Sequence, residues 1–111
     1  MADITAYVEN VKLYTATVDE AAVAGVVRHC GIALQSKDAS LVAASDPEEL
    51  ARVREGFLKK KLARTESDAD LDVAINGVMT QMKAERNKGR VTVYYLLAEK
   101  FGQLGLFHPK G

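Results

Sequence analysis

Apolar residues recur along this chain at the three- and four-residue spacing of helices that bury one face. Five segments show the pattern, at Ile4, Tyr7, Val8, Val11 and Tyr14; Val23, Val26, Val27, Cys30 and Leu34; Leu50, Val53, Phe57, Leu58 and Leu62; Leu71, Ile75, Val78, Met79 and Met82; and Val93, Leu96, Leu97 and Phe101. Tyr94 and Ala98 widen the last face so far that this helix should be buried among neighbours. The pattern predicts an all-α, compact single-domain bundle of about five helices, packed around a C-terminal core helix at about residues 91–102.

Helix-capping residues predict where these segments begin and end. The expected starts are Thr17 with Glu20 as a capping box, Asp46 followed by Pro47 at the first helical position, Ser67, and Thr92. Gly89 is expected to stop the fourth helix, and Gly102 the fifth. We expect the domain to cover residues 1–104 and an irregular tail to cover residues 105–111.

The sequence leaves two local structures undecided, namely the end of the second helix and the conformation of residues 91–95. The helix from about residue 18 ends either at Gly31 or at about Gln35, because an interior glycine weakens a helix without forbidding it. A turn is expected at residues 36–38, with Asp38 opening a short helical piece through Val42. The composition of residues 91–95 also suits a strand, but no partner strand is predicted, so a helix is favoured.

Composition and charge exclude several classes of protein. Among 111 residues, 15 basic and 15 acidic side chains cancel, which gives no general attraction to nucleic acid or anionic membranes. The single cysteine, Cys30, cannot form an internal disulfide and suits a reducing compartment. Residues 1–5 lack the basic region and apolar segment of a signal peptide, and no apolar run approaches the ~20 residues that span a bilayer, so we expect a cytoplasmic protein without membrane insertion.

Motifs of catalysis, metal binding and cofactor binding are not found. Asp68, Asp70 and Asp72 alternate as in a calcium loop, but the loop's required glycine and glutamate are missing. His29 and Cys30 are neighbours that point about 100° apart on a helix, and pairing Cys30 with His108 would require the tail to fold back. We therefore predict no catalytic residue, no metal and no cofactor, and lean against an enzyme.

Two basic stretches are the remaining candidates for binding. Residues 52–64 hold six basic side chains and one acidic one, but the acidic start of the following helix should neutralise them. Residues 83–90 are less balanced, with four basic side chains against Glu85, and the next helix begins without an acidic residue. The tentative anion- or partner-binding site predicted there is Lys83, Arg86, Lys88, Arg90 and Thr92.

Several blocks of sequence are similar to those of a known family. The blocks are residues 30–34 (CGIAL), 38–42 (DASLV), 45–50 (SDPEEL) and 90–99 (RVTVYYLLAE). In this order they resemble a family of small bacterial proteins of unknown function, and the resemblance runs from the first helix to about Leu104. It implies a bacterial cytoplasmic protein, and it supplies no activity, cofactor or catalytic residue.

Three hypotheses for function follow. The leading one is a protein-interaction or regulatory module without catalytic activity, with a protein partner or self-association. The second is binding of nucleic acid, phosphate or another anion through residues 52–64 and 83–90, with nucleic acid the less favoured ligand. The third is a small-ligand binder or an enzyme with a pocket between helices.

Overall fold

Helices make up most of the chain in the computed structural model, which describes residues 4–35, 40–85 and 88–108. Within these residues the α-helices are α1 (Thr5–Lys12), α2 (Glu20–Cys30), α3 (Pro47–Arg52), α4 (Asp68–Gln81) and α5 (Arg90–Lys100). A π-helix (Val53–Lys61) continues α3, and 3-10 helices cover Gly31–Gln35 and Leu104–Phe107. Strand β1 (Leu41–Val42) pairs antiparallel with β2 (Lys88–Gly89). The predicted all-α single-domain fold is confirmed.

Helix α5 lies at the centre of the bundle. Every residue from 91 to 98 is buried, and α1, α2 and α4 all pack against this helix. A strand at residues 91–95 is therefore the wrong alternative, since these residues form the first turns of α5. The prediction of a C-terminal core helix is confirmed.

Three of the predicted helix signals act as expected. The Asp46 carboxylate accepts a hydrogen bond of 3.0 Å from the Glu48 amide, with proline at the next position. The Ser67 hydroxyl accepts one of 3.2 Å from the Asp70 amide. Gly102, at φ 68°, closes α5 as a Schellman motif, in which its own amide bonds the Glu99 carbonyl and the next amide bonds the Ala98 carbonyl at 2.8 Å.

Three other predicted signals are wrong. Asp19, not Thr17, caps α2, because its carboxylate accepts a 3.1 Å hydrogen bond from the Ala22 amide. Helix α4 ends at Gln81, before Gly89, which instead belongs to β2 and precedes α5. Thr92 lies inside α5 and is buried, since its hydroxyl donates to the Asn10 side chain of α1 rather than to a helix end.

The segment after α2 also differs from the expectation. The α-helix ends at Cys30, and Gly31, at φ 50°, begins a 3-10 helix that reaches Gln35. The expected turn at residues 36–38 lies outside the described residues. Leu41–Val42 is a strand rather than a helical piece, because its backbone is paired with Lys88–Gly89, a contact distant in sequence.

Residues 104–108 fold back onto α2. Leu104–Phe107 is a 3-10 helix, and the Phe107 side chain is 3% exposed. A Cβ atom at Gly25 would lie 2.0 Å from the Phe107 carbonyl oxygen, so glycine permits this close approach. We call Leu104–His108 the C-terminal turn; residues 109–111 lie outside the described part of the chain.

Gly102→Ala should destabilise the protein by about 1 kcal/mol, because a Cβ atom is disfavoured at positive φ. Gly105→Ala is the matched control, since a Cβ atom there meets open space and its backbone is not at positive φ. Urea denaturation of both variants measures the difference. Equal stabilities would contradict the assignment of Gly102 as the residue that closes α5.

Gly25→Ala should lower the free energy of unfolding by roughly 1–3 kcal/mol, because the added methyl group must displace the Phe107 backbone. Gly77→Ala in α4 is the control, because its Cβ atom would meet only the end of a flexible lysine, at 3.5 Å. Thermal and urea denaturation should show that the second variant is as stable as the parent or more so, as alanine favours helices. A tolerated Gly25→Ala would show that the C-terminal turn is not docked on α2.

Candidate functional site

Part of the basic stretch that was predicted as a binding site is buried in the fold. Lys83 is exposed just after α4, and Arg86 lies outside the described residues. Lys88 is buried at 6% exposure, and its ammonium group donates a 2.8 Å hydrogen bond to the Glu85 carbonyl oxygen. Of these three, only Lys83 is seen to face solvent.

Arg90 joins α5 to the elements before it. Its guanidinium pairs with the Glu49 carboxylate of α3, and the two side chains are only 12% and 11% exposed. It also donates to the Tyr94 hydroxyl at 3.0 Å and to the Leu41 carbonyl at 3.3 Å. Removing one member of such a buried pair usually costs several kcal/mol, so these contacts give Arg90 a structural role.

Thr92 belongs to a polar cluster between α1 and the end of α4. Its hydroxyl donates to Asn10, whose amide donates in turn to the Glu85 carboxylate at 2.9 Å. The Tyr14 hydroxyl donates to the same carboxylate, and burial together with this carboxylate raises the pKa of Tyr14 to about 12. Thr92 is thus bonded inside the fold. Anion binding by Lys83, Arg86, Lys88, Arg90 and Thr92 as a group stays a prediction.

The basic stretch 52–64 is neutralised by neighbouring carboxylates, as the charge pattern predicted. Lys59 lies 2.6 Å from Asp68 at the start of α4, and Arg54 lies 3.0 Å from Asp72. The Lys59 hydrogen bond lowers the pKa of Asp68. Arg52 pairs with carboxylates of α3, and Arg64 with Glu66. These pairs are partly or fully exposed to solvent, so each adds little stability, but together they cancel most of the positive charge.

A concave site of about 300 Å³ lies where the C-terminal turn meets the end of α2. We call it the C-terminal groove, and its lining residues are Gly25, Arg28, His29, Lys61, Leu106, Phe107 and His108. They come from α2, from the last turn of the π-helix and from the C-terminal turn. Among the described residues that line the groove there are four basic side chains and no carboxylate.

The basic side chains reach the groove because two helices end beside it. Arg28 and His29 lie in the last turn of α2, and Lys61 is the last residue of the π-helix. Cations are favoured at helix C-termini, where carbonyl groups carry partial negative charge. The Lys61 ammonium group lies 5.4 Å from the centre of the Phe107 ring, within the range of a cation–π contact.

His29 stands against an aromatic wall. Its ring centre is 5.6 Å from that of Phe57, 6.0 Å from that of Tyr94 and 6.3 Å from that of Phe107. Burial, followed by the nearby charge of Lys61, lowers the pKa of His29 below its ordinary value of 6.5. The imidazole is therefore mostly neutral at pH 7, so it has both a donor and an acceptor nitrogen.

His108 attaches the C-terminal turn to the start of α2. Its Nε2 atom contacts the Asp19 carboxylate, and this hydrogen bond lowers the pKa of Asp19. The Asp19 amide donates a 2.9 Å hydrogen bond to the Tyr95 hydroxyl of the core helix. The turn that forms one wall of the groove is thereby linked through Asp19 to α5.

The other candidate sites offer fewer groups that could react or bind a ligand. Burial raises the pKa of Cys30 to about 11, which leaves it a poorly reactive thiol at neutral pH. His108 does fold back towards α2, but its side chain contacts Asp19, not this cysteine. No group of three metal-ligating side chains occurs among residues 4–35, 40–85 and 88–108. A second cavity, of about 220 Å³, lies between α3 and α4, where the Arg54–Asp72 pair already occupies its polar side.

Sequence reasoning missed the C-terminal groove because its parts are distant along the chain. Residues 28–29, 61 and 106–108 converge only after the C-terminal turn docks on α2. The basic residues at two helix ends were the signal in the sequence that could have indicated the groove, but the preference of cations for helix C-termini was enough to explain them.

The described residues form no helix long and apolar enough to cross a bilayer.

Comparison with known proteins identifies the family of the chain. Residues 6–105 match the family described as "Protein of unknown function (DUF2853)", which covers nearly the whole sequence. No curated protein matches the chain. The match agrees with the resemblance noted in the sequence blocks, and it carries no activity. The chain therefore belongs to this family of proteins of unknown function.

Proposed function

We propose that the protein binds a small anionic ligand in the C-terminal groove, and that a phosphate monoester with an apolar substituent is the best match. The observation that carries the proposal is the convergence of four basic side chains from three elements on one concavity. Ligand sites in proteins are concave and combine apolar walls with a few converging polar groups.

The charges of the groove suit a ligand with two negative charges. Arg28 and Lys61 are cationic side chains, His29 adds hydrogen-bonding nitrogens, and His108 adds the ring nitrogen that does not contact Asp19. Arginine binds phosphate with two parallel hydrogen bonds, and lysine adds a compact charge. Two fixed positive charges match the dianion of a phosphate monoester at neutral pH.

The apolar side of the groove is the reason for proposing that the phosphate monoester carries an apolar substituent. Leu106 is 51% exposed and lies beside the buried Phe107, so it offers an apolar surface in the groove. A volume of about 300 Å³ is at the lower end for ligand pockets. A compact ligand could therefore place its anion at the basic side chains and its apolar group against Leu106.

Of the three hypotheses drawn from the sequence, anion binding in the C-terminal groove favours the small-ligand hypothesis. The ligand site is then the groove, and not residues 83–90. Nucleic-acid binding through residues 52–64 loses support, because Arg52, Arg54, Lys59 and Arg64 are paired with carboxylates. The protein-interaction or regulatory module stays a prediction, and ligand binding in the groove would give such a module a means of regulation.

Phenyl phosphate should bind saturably at neutral pH, with amide chemical-shift changes in two-dimensional NMR confined to the end of α2, the end of the π-helix and the C-terminal turn. Lys61→Gln and Arg28→Gln should each weaken binding roughly three- to tenfold, because each removes a charge-assisted contact at an exposed site. Lys60→Gln is the matched control: it removes the same charge one residue away, from an exposed side chain that does not line the groove.

Two results would contradict the proposal. One is the absence of saturable binding by phenyl phosphate at low salt. The other is an equal loss of affinity in Lys60→Gln and Lys61→Gln, which would indicate general charge attraction instead of a defined site. Inorganic phosphate should bind more weakly than phenyl phosphate, because it lacks the group that contacts Leu106.

A further inference from the structure

We propose that anion binding in the C-terminal groove is coupled to uptake of a proton by His29, so that the groove binds its ligand more tightly as the pH falls. The inference rests on the proposed function and adds its regulation. It assigns this role to His29 because histidine is the side chain whose ordinary pKa lies closest to neutral pH.

Geometry places His29 between the anion site and the core. The imidazole lines the groove, yet its ring lies within 6.3 Å of three aromatic rings, measured between centres. His29 as a whole is exposed, so the aromatic contacts cover only part of its ring and the rest remains open to the groove. Because no carboxylate is among the described residues that line the groove, the charged form lacks a compensating partner there until an anion arrives.

The groups around His29 oppose its protonation in the free protein. The titratable or charged side chains that face it or adjoin it are Arg28, Cys30, Lys61, Tyr94 and His108. Burial raises the pKa of Cys30 and of Tyr94, so both are neutral near pH 7. The Asp19 carboxylate, which His108 contacts, is already engaged by that histidine and by the cap of α2.

A bound anion has the opposite effect on the protonation of His29. Its charge favours the imidazolium form and raises the pKa of His29 in the complex relative to the free protein. Between the two pKa values, binding takes up a proton, and affinity rises as pH falls, by at most about tenfold per pH unit for one proton. Below the pKa of the free protein His29 is charged in both states, so the dependence levels off.

Benzenesulfonate is the suitable probe, because its single charge is constant where histidine titrates, whereas a phosphate monoester gains a proton near pH 6. Its dissociation constant should fall roughly three- to tenfold between about pH 7.5 and about pH 5.5. The chain has two histidines, so carbon-13 NMR resolves two imidazoles. The titration midpoint of His29 should move upward when the probe is saturating.

Two substitutions separate the two imidazoles. His29→Gln assigns its resonance and should abolish most of the pH dependence. His108→Gln should weaken binding, because it loosens the C-terminal turn from Asp19, but should retain the pH dependence. The NMR midpoint in the parent protein tests the coupling even if a variant folds poorly.

The outcomes distinguish the coupling from the proposed function. Saturable binding with an unchanged His29 midpoint would overturn the coupling alone. A pH dependence that survives in His29→Gln and disappears in His108→Gln would overturn it as well. If neither benzenesulfonate nor phenyl phosphate binds saturably at any pH, the groove is not an anion site and both proposals fail.

Discussion

The burial of α5 on all sides is the constraint on which the rest of the fold depends. Eight consecutive residues, 91–98, are buried, although three of them carry hydroxyl groups. Each hydroxyl is bonded to a different part of the chain: Thr92 to α1, Tyr94 to Arg90 and Tyr95 to the amide of Asp19. A buried polar group without a partner costs about 1–3 kcal/mol. These bonds therefore fix how α1 and α2 sit on the core helix.

The charges of the molecule divide into structural and available ones. The buried pair of Arg90 with Glu49 joins α5 to α3, and the pairs Lys59–Asp68 and Arg54–Asp72 neutralise charge between the π-helix and α4. The basic side chains of the C-terminal groove are arranged otherwise, since they surround a concavity lined without a carboxylate among the described residues. Of these side chains His108 contacts Asp19, whereas Arg28 and Lys61 have no carboxylate partner among the described residues, so their charges are available to a ligand.

Capping residues predicted a helix end correctly where that end depends only on residues within a few positions of it. Asp46 and Ser67 cap the helices that follow them, and Gly102 closes α5, because each acts on backbone groups within a few positions. They failed where a distant partner competes. Thr92 has the side chain of a capping residue, but Asn10 takes its hydroxyl, so α5 begins before it.

The sequence by itself determined the all-α class, the core helix and the neutralisation of residues 52–64, since these follow from periodicity and from charges close along the chain. Only the tertiary structure decided the pairing of β1 with β2 and the docking of Phe107 on Gly25. Both join segments far apart in sequence, and no local pattern encodes such an approach. The C-terminal groove belongs to this second group, because residues 28–29, 61 and 106–108 become neighbours only when the C-terminal turn packs on α2.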